Sequence, residues 1–423
     1  MDRREDLTTH KLWTRDFTII TLGSVVSIFG GVLSGFAMSL LVLDYTQSTL
    51  YYAIYIALFH IPAIFAPIIG GAVLDRFSRK KTIYTLDFIS SGIYLLGSLL
   101  IAKGYFNFGI LATFVFIIGT IEGVYQVAYE SFYPMLISEG NFTKAYAVSS
   151  FLETIAAIMM PISTFLYKSI GMAPLLVINS ATFFIAACFE TRIKQEENYV
   201  DLQKNSLSEE QKHESRLKLL IYDLKEGFRY LYKEKGLLAV AIYFGFSALF
   251  GGTIEVCVLP YFKGAYSNGE YLYTVVMAAG IIARAVGGLV HYNFKLPKEK
   301  KYTIALIVYV TISIIDGTYL YTPIVVMIIL CAIEGLLGIT SYTIRVSATQ
   351  SYVPDERKGR FNGAFNVIST IGSLIGELAA GALTTVLPLR GVISAFAIIN
   401  LFAAFMFIGR NKKHIAPIYN RQE

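Results

Sequence analysis

Apolar and polar positions along this chain fall into long blocks instead of alternating. Runs of about 20 residues with few or no charges are separated by short charged islands. A helix needs about 20 apolar residues to cross a hydrocarbon core. A spanning backbone must also satisfy its own hydrogen bonds, and these runs are too long and uninterrupted for barrel strands. The pattern predicts an all-α polytopic membrane protein. Its twelve spans lie near 17–43, 50–74, 82–102, 108–131, 143–167, 171–190, 237–262, 270–292, 302–320, 322–345, 361–386 and 391–410.

The polar blocks divide the spans. Residues 1–16 read as a cytosolic tail holding Arg3, Arg4, Lys11 and Arg15, and 411–423 as a second tail. A polar insert at 191–236 parts a six-helix half, 17–190, from a second half, 237–410. The stretch Lys194–Glu214 is rich in Lys, Glu, Gln, Asn and Ser and is predicted to be flexible. Beyond it Leu217, Leu220, Ile221, Leu224, Phe228 and Leu231 recur at helical spacing, with Lys218, Lys225 and Arg229 between them. That pattern predicts an amphipathic helix lying on the cytosolic membrane surface. The halves carry a repeat: Ile121-Glu122-Gly123 in the fourth span recurs as Ile333-Glu334-Gly335 in the tenth. Two related halves around a midplane site are a transporter plan.

Composition agrees with the blocks. Of 423 residues, 55% are hydrophobic and 16% charged, with a mean hydropathy of +0.57; soluble domains carry roughly a quarter charged residues. The net charge of +6 does not point to nucleic acid. With a cytosolic N-terminus, only Lys103, Lys168, Lys263 and Arg390 face outward and Arg284 lies within a span. The remaining basic residues fall on one side, which is the positive-inside pattern of a multi-pass plasma-membrane protein with both termini cytosolic. The first apolar run is too long for a signal h-region. Cys188, Cys257 and Cys331 lie in apolar runs and read as small buried hydrophobes, not as a disulfide or metal set. The chain has no G-x-x-x-x-G-K-[ST] phosphate loop and no H-E-x-x-H. An ATP-driven pump and a membrane metalloprotease are therefore disfavoured, and neither an enzyme activity nor a cofactor is expected.

Ionisable groups inside spans are costly and mark function by default. Here they are Glu122, Glu153, Glu255, Glu334, Glu377, Arg284 and His60, with Asp87 and Asp316 nearer span ends. At about 1.5 Å per residue, Glu122 and Glu334 sit roughly 18–21 Å from their outer ends, near the midplane at similar depth. A carboxyl group there can take a proton from one side and release it to the other; the alternative is a structural acid bonded to a neighbouring helix. Arg284 calls for a partner, either Glu255, Glu334 or a substrate. His60 reads first as a hydrogen-bonded packing residue. Small-residue steps at Gly31/Gly35, Gly119/Gly123 and Gly372/Gly376 permit close helix contact. With 30 Phe and 29 Tyr, aromatic faces suffice to line a pocket for a bulky, even cationic, ligand.

The stretch Gly70–Lys81, GGAVLDRFSRKK, lies between the second and third spans. Its pattern G-x3-D-R-x-x-R-K resembles the loop at this place in the major facilitator superfamily. The resemblance implies that Gly71 allows close helix approach and that Asp75 faces a helix end. Arg79 or Arg76 would pair with Glu130, and Lys80 continues the basic cluster. The family usually has glycine where this chain has Ser78, which makes the turn less permissive. Tyr133-Pro134, Thr143-Lys144-Ala145, Pro161, Leu224-Lys225-Glu226-Gly227 and Gly359-Arg360 resemble the macrolide-efflux type of drug exporter, with siderophore exporters nearby.

The resemblance implies twelve helices in two six-helix halves, with spans three, six, nine and twelve outside the central cavity. It sets Asp87 and Asp316 aside. It also implies a proton-coupled exporter of lipophilic or bulky small molecules, whose partners are that substrate, protons and the lipid bilayer, acting as a monomer. The drug exporters' fourth-span arginine is absent, because Gly119 takes its place. An uncoupled or import-direction carrier, and a non-transporting sensor or scaffold, are the competing readings.

Overall fold

The computed structural model describes residues 11–74, 78–138, 159–195, 224–293 and 296–421, with 141, 144–145, 148, 152, 197 and 222. No strand occurs among the described residues. The helices are α1 (Arg15–Thr46), α2 (Thr49–Leu74), α3 (Arg79–Ala102), α4 (Phe108–Phe132), α5 (Met159–Ile170), α6 (Met172–Glu190), α7 (Lys235–Ala265), α8 (Gly269–Asn293), α9 (Lys301–Thr318), α10 (Ile324–Tyr352), α11 (Asp355–Leu383), α12 (Leu389–Ala403) and the short α13 (Lys412–Tyr419). Among the described residues, ten helical stretches are long and apolar enough to cross a membrane, and Thr49–Pro62 is a shorter apolar helix. This is an all-α polytopic membrane fold.

Local chemistry sets the helix ends. Asn107 lies in extended backbone before α4 and accepts from Ile110 N at 2.9 Å. Ser78 does the same for α3, accepting from Lys81 N at 3.1 Å. Its backbone, at φ −59° and ψ 127°, is open to any residue. The position therefore needs no glycine, and serine supplies the cap. The predicted amphipathic segment is helical over 224–233; residues 198–221, including Leu217, Leu220 and Ile221, lie outside the described residues.

By contact the chain forms two compact units. One comprises Met1–Leu40 and Phe65–His213, the other Leu41–Ile64 and Glu214–Glu423. The end of α1 and the first part of α2 thus group with the later helices.

In the first unit α3 packs on α6 and α4. Its core gathers Phe17, Ile20, Ile83, Phe132 and Tyr133. Polar groups buried between its helices bond across them: Asn179 Nδ2 donates to Ser34 Oγ at 2.6 Å, and the Ser91 and Ser180 hydroxyls lie 3.1 Å apart. Leu95, Leu96, Leu99 and Phe184 remain exposed, as a surface facing lipid requires.

In the second unit α7 packs on α11 and α12, α8 on α10, and α9 on α12 and α10. The α7–α11 contact brings backbone against backbone. A β-carbon at Gly376 would overlap the Leu249 carbonyl, so only glycine permits this approach. The expected Gly372/Gly376 step is thus a packing seam. The α8–α10 crossing is made the same way, by Gly335 against the Gly280 carbonyl. α13 folds back onto this unit and buries Ile415, Ile418 and Tyr419 in its core. The Tyr419 and Tyr309 hydroxyls lie 3.0 Å apart there.

Candidate functional site

The α7–α11 seam determines which acids meet. Glu377 sits one residue past Gly376, and its side chain is fully buried at 0% exposure. Its Oε1 lies 3.1 Å from His60 Nδ1 on α2 and accepts from Ser373 Oγ at 3.0 Å. Glu255 on α7 completes the group. The ligand-capable atoms of His60, Glu255 and Glu377 all lie within 4.8 Å of one another. A metal ion could bridge that spacing, as a proton could. Exposure falls through the set: Glu255 is exposed, His60 half-buried and Glu377 enclosed. Glu377 Oε2 is buried and has no hydrogen-bond partner. Accessible surface therefore lies at the Glu255 end of the group, while the other end is an unsatisfied buried oxygen.

His60 is more than a packing histidine here, since its bond goes to an ionisable partner. Glu255 lies beside His60 and Glu377 and not beside Arg284 in any ion pair among the described residues. Arg284 on α8 instead exerts the main charge interaction on Glu334 of α10. Among the described residues the two make no ion pair within 4.0 Å. Asp316 of α9, set aside on the sequence resemblance, also feels the Glu334 charge. In the second copy of the Glu-Gly dipeptide, Gly335 thus makes the helix crossing and Glu334 comes within electrostatic reach of Arg284.

In the first unit the acids gather differently. Asp87 of α3 and Glu190 of α6 are buried, at 1% and 0% exposure, and face one another. Asp87 Oδ2 and both Glu190 carboxylate oxygens are enclosed, and the bond open to them is the one between the two carboxyl groups, which needs a proton. Glu122 on α4 keeps accessible surface, and its charge is felt by Asp87. Glu190 escaped the sequence reading because it adjoins the basic run Thr191–Lys194 and looks like the start of a cytosolic loop. Glu153 lies outside the described residues.

A sequence profile of the Major Facilitator Superfamily matches residues 20–377. The chain belongs to the major facilitator superfamily. An uncharacterized MFS-type transporter of Bacillus subtilis (strain 168), YkuC, is 25% identical over 285 residues, 65% of this chain and 64% of that relative's length. Two solved structures share the fold. The nucleoside transporter NupG, as a mutant, superposes with a TM-score of 0.65 at 14% identity, covering 94% of this chain and all of that one. The POT family transporter PepTSo gives 0.65 at 16% identity, covering 95% and 98%.

The superfamily loop is described in part. Gly71 lies within α2, whereas Asp75 and Arg76 lie outside the described residues. Arg79 reaches the end of α4, but its Nη1 donates to the Ser131 carbonyl at 3.0 Å. Glu130 accepts from Gln126 Nε2 instead, so the expected Arg79–Glu130 pair is not formed. The carbonyl lies along the guanidinium's path, and the i,i+4 glutamine satisfies the acid locally. Lys80 Nζ donates to the Ile193 carbonyl at 3.1 Å. The acid at the N-terminus of α3 is Glu197, whose carboxylate accepts from Arg79 N at 2.9 Å and from the Ser78 hydroxyl.

Proposed function

We propose that this chain is a secondary active transporter that exports lipophilic or bulky small molecules in exchange for protons, by alternating access. The observation that carries the reading is the graded group Glu255–His60–Glu377. Histidine titrates in the physiological range, and hydrogen-bonded neighbours tune it. An exposed acid, a half-buried imidazole and an enclosed carboxyl form a path along which a proton can enter and be held. The buried Glu377 Oε2 has no other partner to satisfy it. The Asp87–Glu190 pair is a second place where a shared proton would relieve two facing acids.

Membership in a transporter superfamily supports the general activity. Resemblance to drug exporters in the Tyr133-Pro134 and Thr143–Ala145 region supports the outward direction. The charge asymmetry supports cytosolic termini, and the reading puts the protein in the plasma membrane. Glu122 and Glu334 remain candidates for substrate or proton contact, the latter through Arg284.

Reconstitution tests this. Wild-type protein in liposomes, given a panel of bulky apolar fluorescent compounds, is expected to move at least one of them against its gradient when a pH gradient is imposed. Flux of the same compounds that ignores both sign and size of the gradient would reject coupling and favour an uncoupled carrier.

A further inference from the structure

Arg345 is a second basic residue inside an apolar helix, and among the described residues no acid neutralises it. It lies on α10 within Ile324–Tyr352. Its guanidinium carbon sits 4.8 Å from the Phe365 ring centre, 4.9 Å from Phe244 and 5.4 Å from Tyr342. Phe244 and Phe365 are themselves in contact, with centroids 5.9 Å apart. Nε is enclosed and has no hydrogen-bond partner. Among the described residues no carboxylate lies within ion-pair distance, and the ionisable side chains that act on it are the tyrosines Tyr309, Tyr419 and Tyr342.

An arginine taken out of water needs a partner for its charge. Aromatic faces give partial compensation. They leave the guanidinium edge, with its planar fork of donors, without acceptors. That fork fits a carboxylate or phosphate in bidentate fashion.

The helix places this group in line with the charged centre already described. Arg345 follows Glu334 by three helical turns on the same face of α10. Between them that face carries Gly338, with the Glu334 carboxylate against it, and Ser341, both small. A planar body could lie along the stripe with its charged end at Arg345.

We propose that Arg345, with its aromatic walls Phe244 and Phe365, binds the anionic group of an organic anion, a carboxylate or sulfonate on an aromatic body. That this ligand is a transported substrate rests on the transporter reading; that it binds does not. It narrows the bulky molecules of that reading to those bearing negative charge, and it is independent of the proton group at His60.

The test uses the full chain purified in detergent and two xanthene dyes of similar shape. Carboxyfluorescein is the anion and tetramethylrhodamine methyl ester the cation, and binding is followed by fluorescence anisotropy. Wild type is expected to bind carboxyfluorescein. Arg345→Gln should weaken it by about tenfold or more, with Arg345→Lys recovering part of the loss, because lysine keeps charge but not the fork. The cation should not bind more weakly to Arg345→Gln than to wild type. Phe365→Leu keeps the charge and removes a wall, and should weaken the anion by roughly threefold.

Equal carboxyfluorescein affinity in wild type and Arg345→Gln would overturn the proposal. If Arg345→Gln fails to fold, undiminished binding in Phe365→Leu would overturn it instead. Glu377→Gln is expected to bind the anion as wild type does, so a failure of proton coupling and a failure of this site give different results.

Discussion

The imidazole of His60 and the carboxyl group of Glu377 meet at 3.1 Å although α2 and α11 lie at opposite ends of the sequence. Glu377 is wholly enclosed, while the His60 side chain keeps 36% of its surface. The contact exists because α11 lies close on α7 at Gly376, turning Glu377 inward beside Glu255. A packing feature and a chemical one are therefore the same feature, and each can be tested separately.

The seam comes first. Gly376→Ala is expected to lower stability by about 1–3 kcal/mol, since the added carbon meets backbone that cannot step aside. Gly31→Ala is the control: nothing lies within 4 Å of a β-carbon there, so it should be neutral or stabilising by up to about 1 kcal/mol. Thermal unfolding of the two variants in detergent would show the difference. Equal midpoints would mean the α7–α11 approach is looser than described.

The cap at Ser78 gives a second expectation. Ser78→Ala removes the acceptor for Lys81 N and should cost about 1 kcal/mol, whereas Ser78→Gly should cost only a few tenths. The order matters more than the size. If glycine, the usual superfamily residue, were worse than alanine, the serine would be serving its Glu197 contact and not the helix end.

Orientation follows from charge. With Cys188, Cys257 and Cys331 replaced, a membrane-impermeant thiol reagent applied to intact cells is expected to label Ser267→Cys and to spare Ser206→Cys. The reverse pattern would invert the topology and with it the direction assigned to export.

Much of the fold was legible because a bilayer leaves few choices. Blocks of apolar residues give helices, and positive charge gives a side. The location of acids within spans was legible for the same reason, since Glu255, Glu334 and Glu377 stand out against apolar neighbours. Which acids meet was not. Depth along a helix can be counted from sequence, and it paired Glu122 with Glu334; rotation about the axis and the partner helix are decided by packing. Gly376 and Gly335 set that packing, but a small-residue step does not name the helix it touches. Residues near span ends carry the weakest signal. Glu190 closes its apolar run beside Thr191–Lys194 and Arg345 closes another, because hydropathy marks the limits of an apolar run while α10 continues past it to Tyr352.

Coupling at Glu377 is the central claim, and one measurement addresses it most directly. In liposomes containing Glu377→Gln, transport of a compound that wild type moves is followed in two ways. One is accumulation driven by an imposed pH gradient, and the other is exchange of labelled for unlabelled compound with no gradient. Glutamine keeps the shape but cannot pass a proton. Exchange should therefore persist within about threefold of wild type while gradient-driven accumulation is lost. Accumulation at the wild-type level, with its pH dependence intact, would contradict the account.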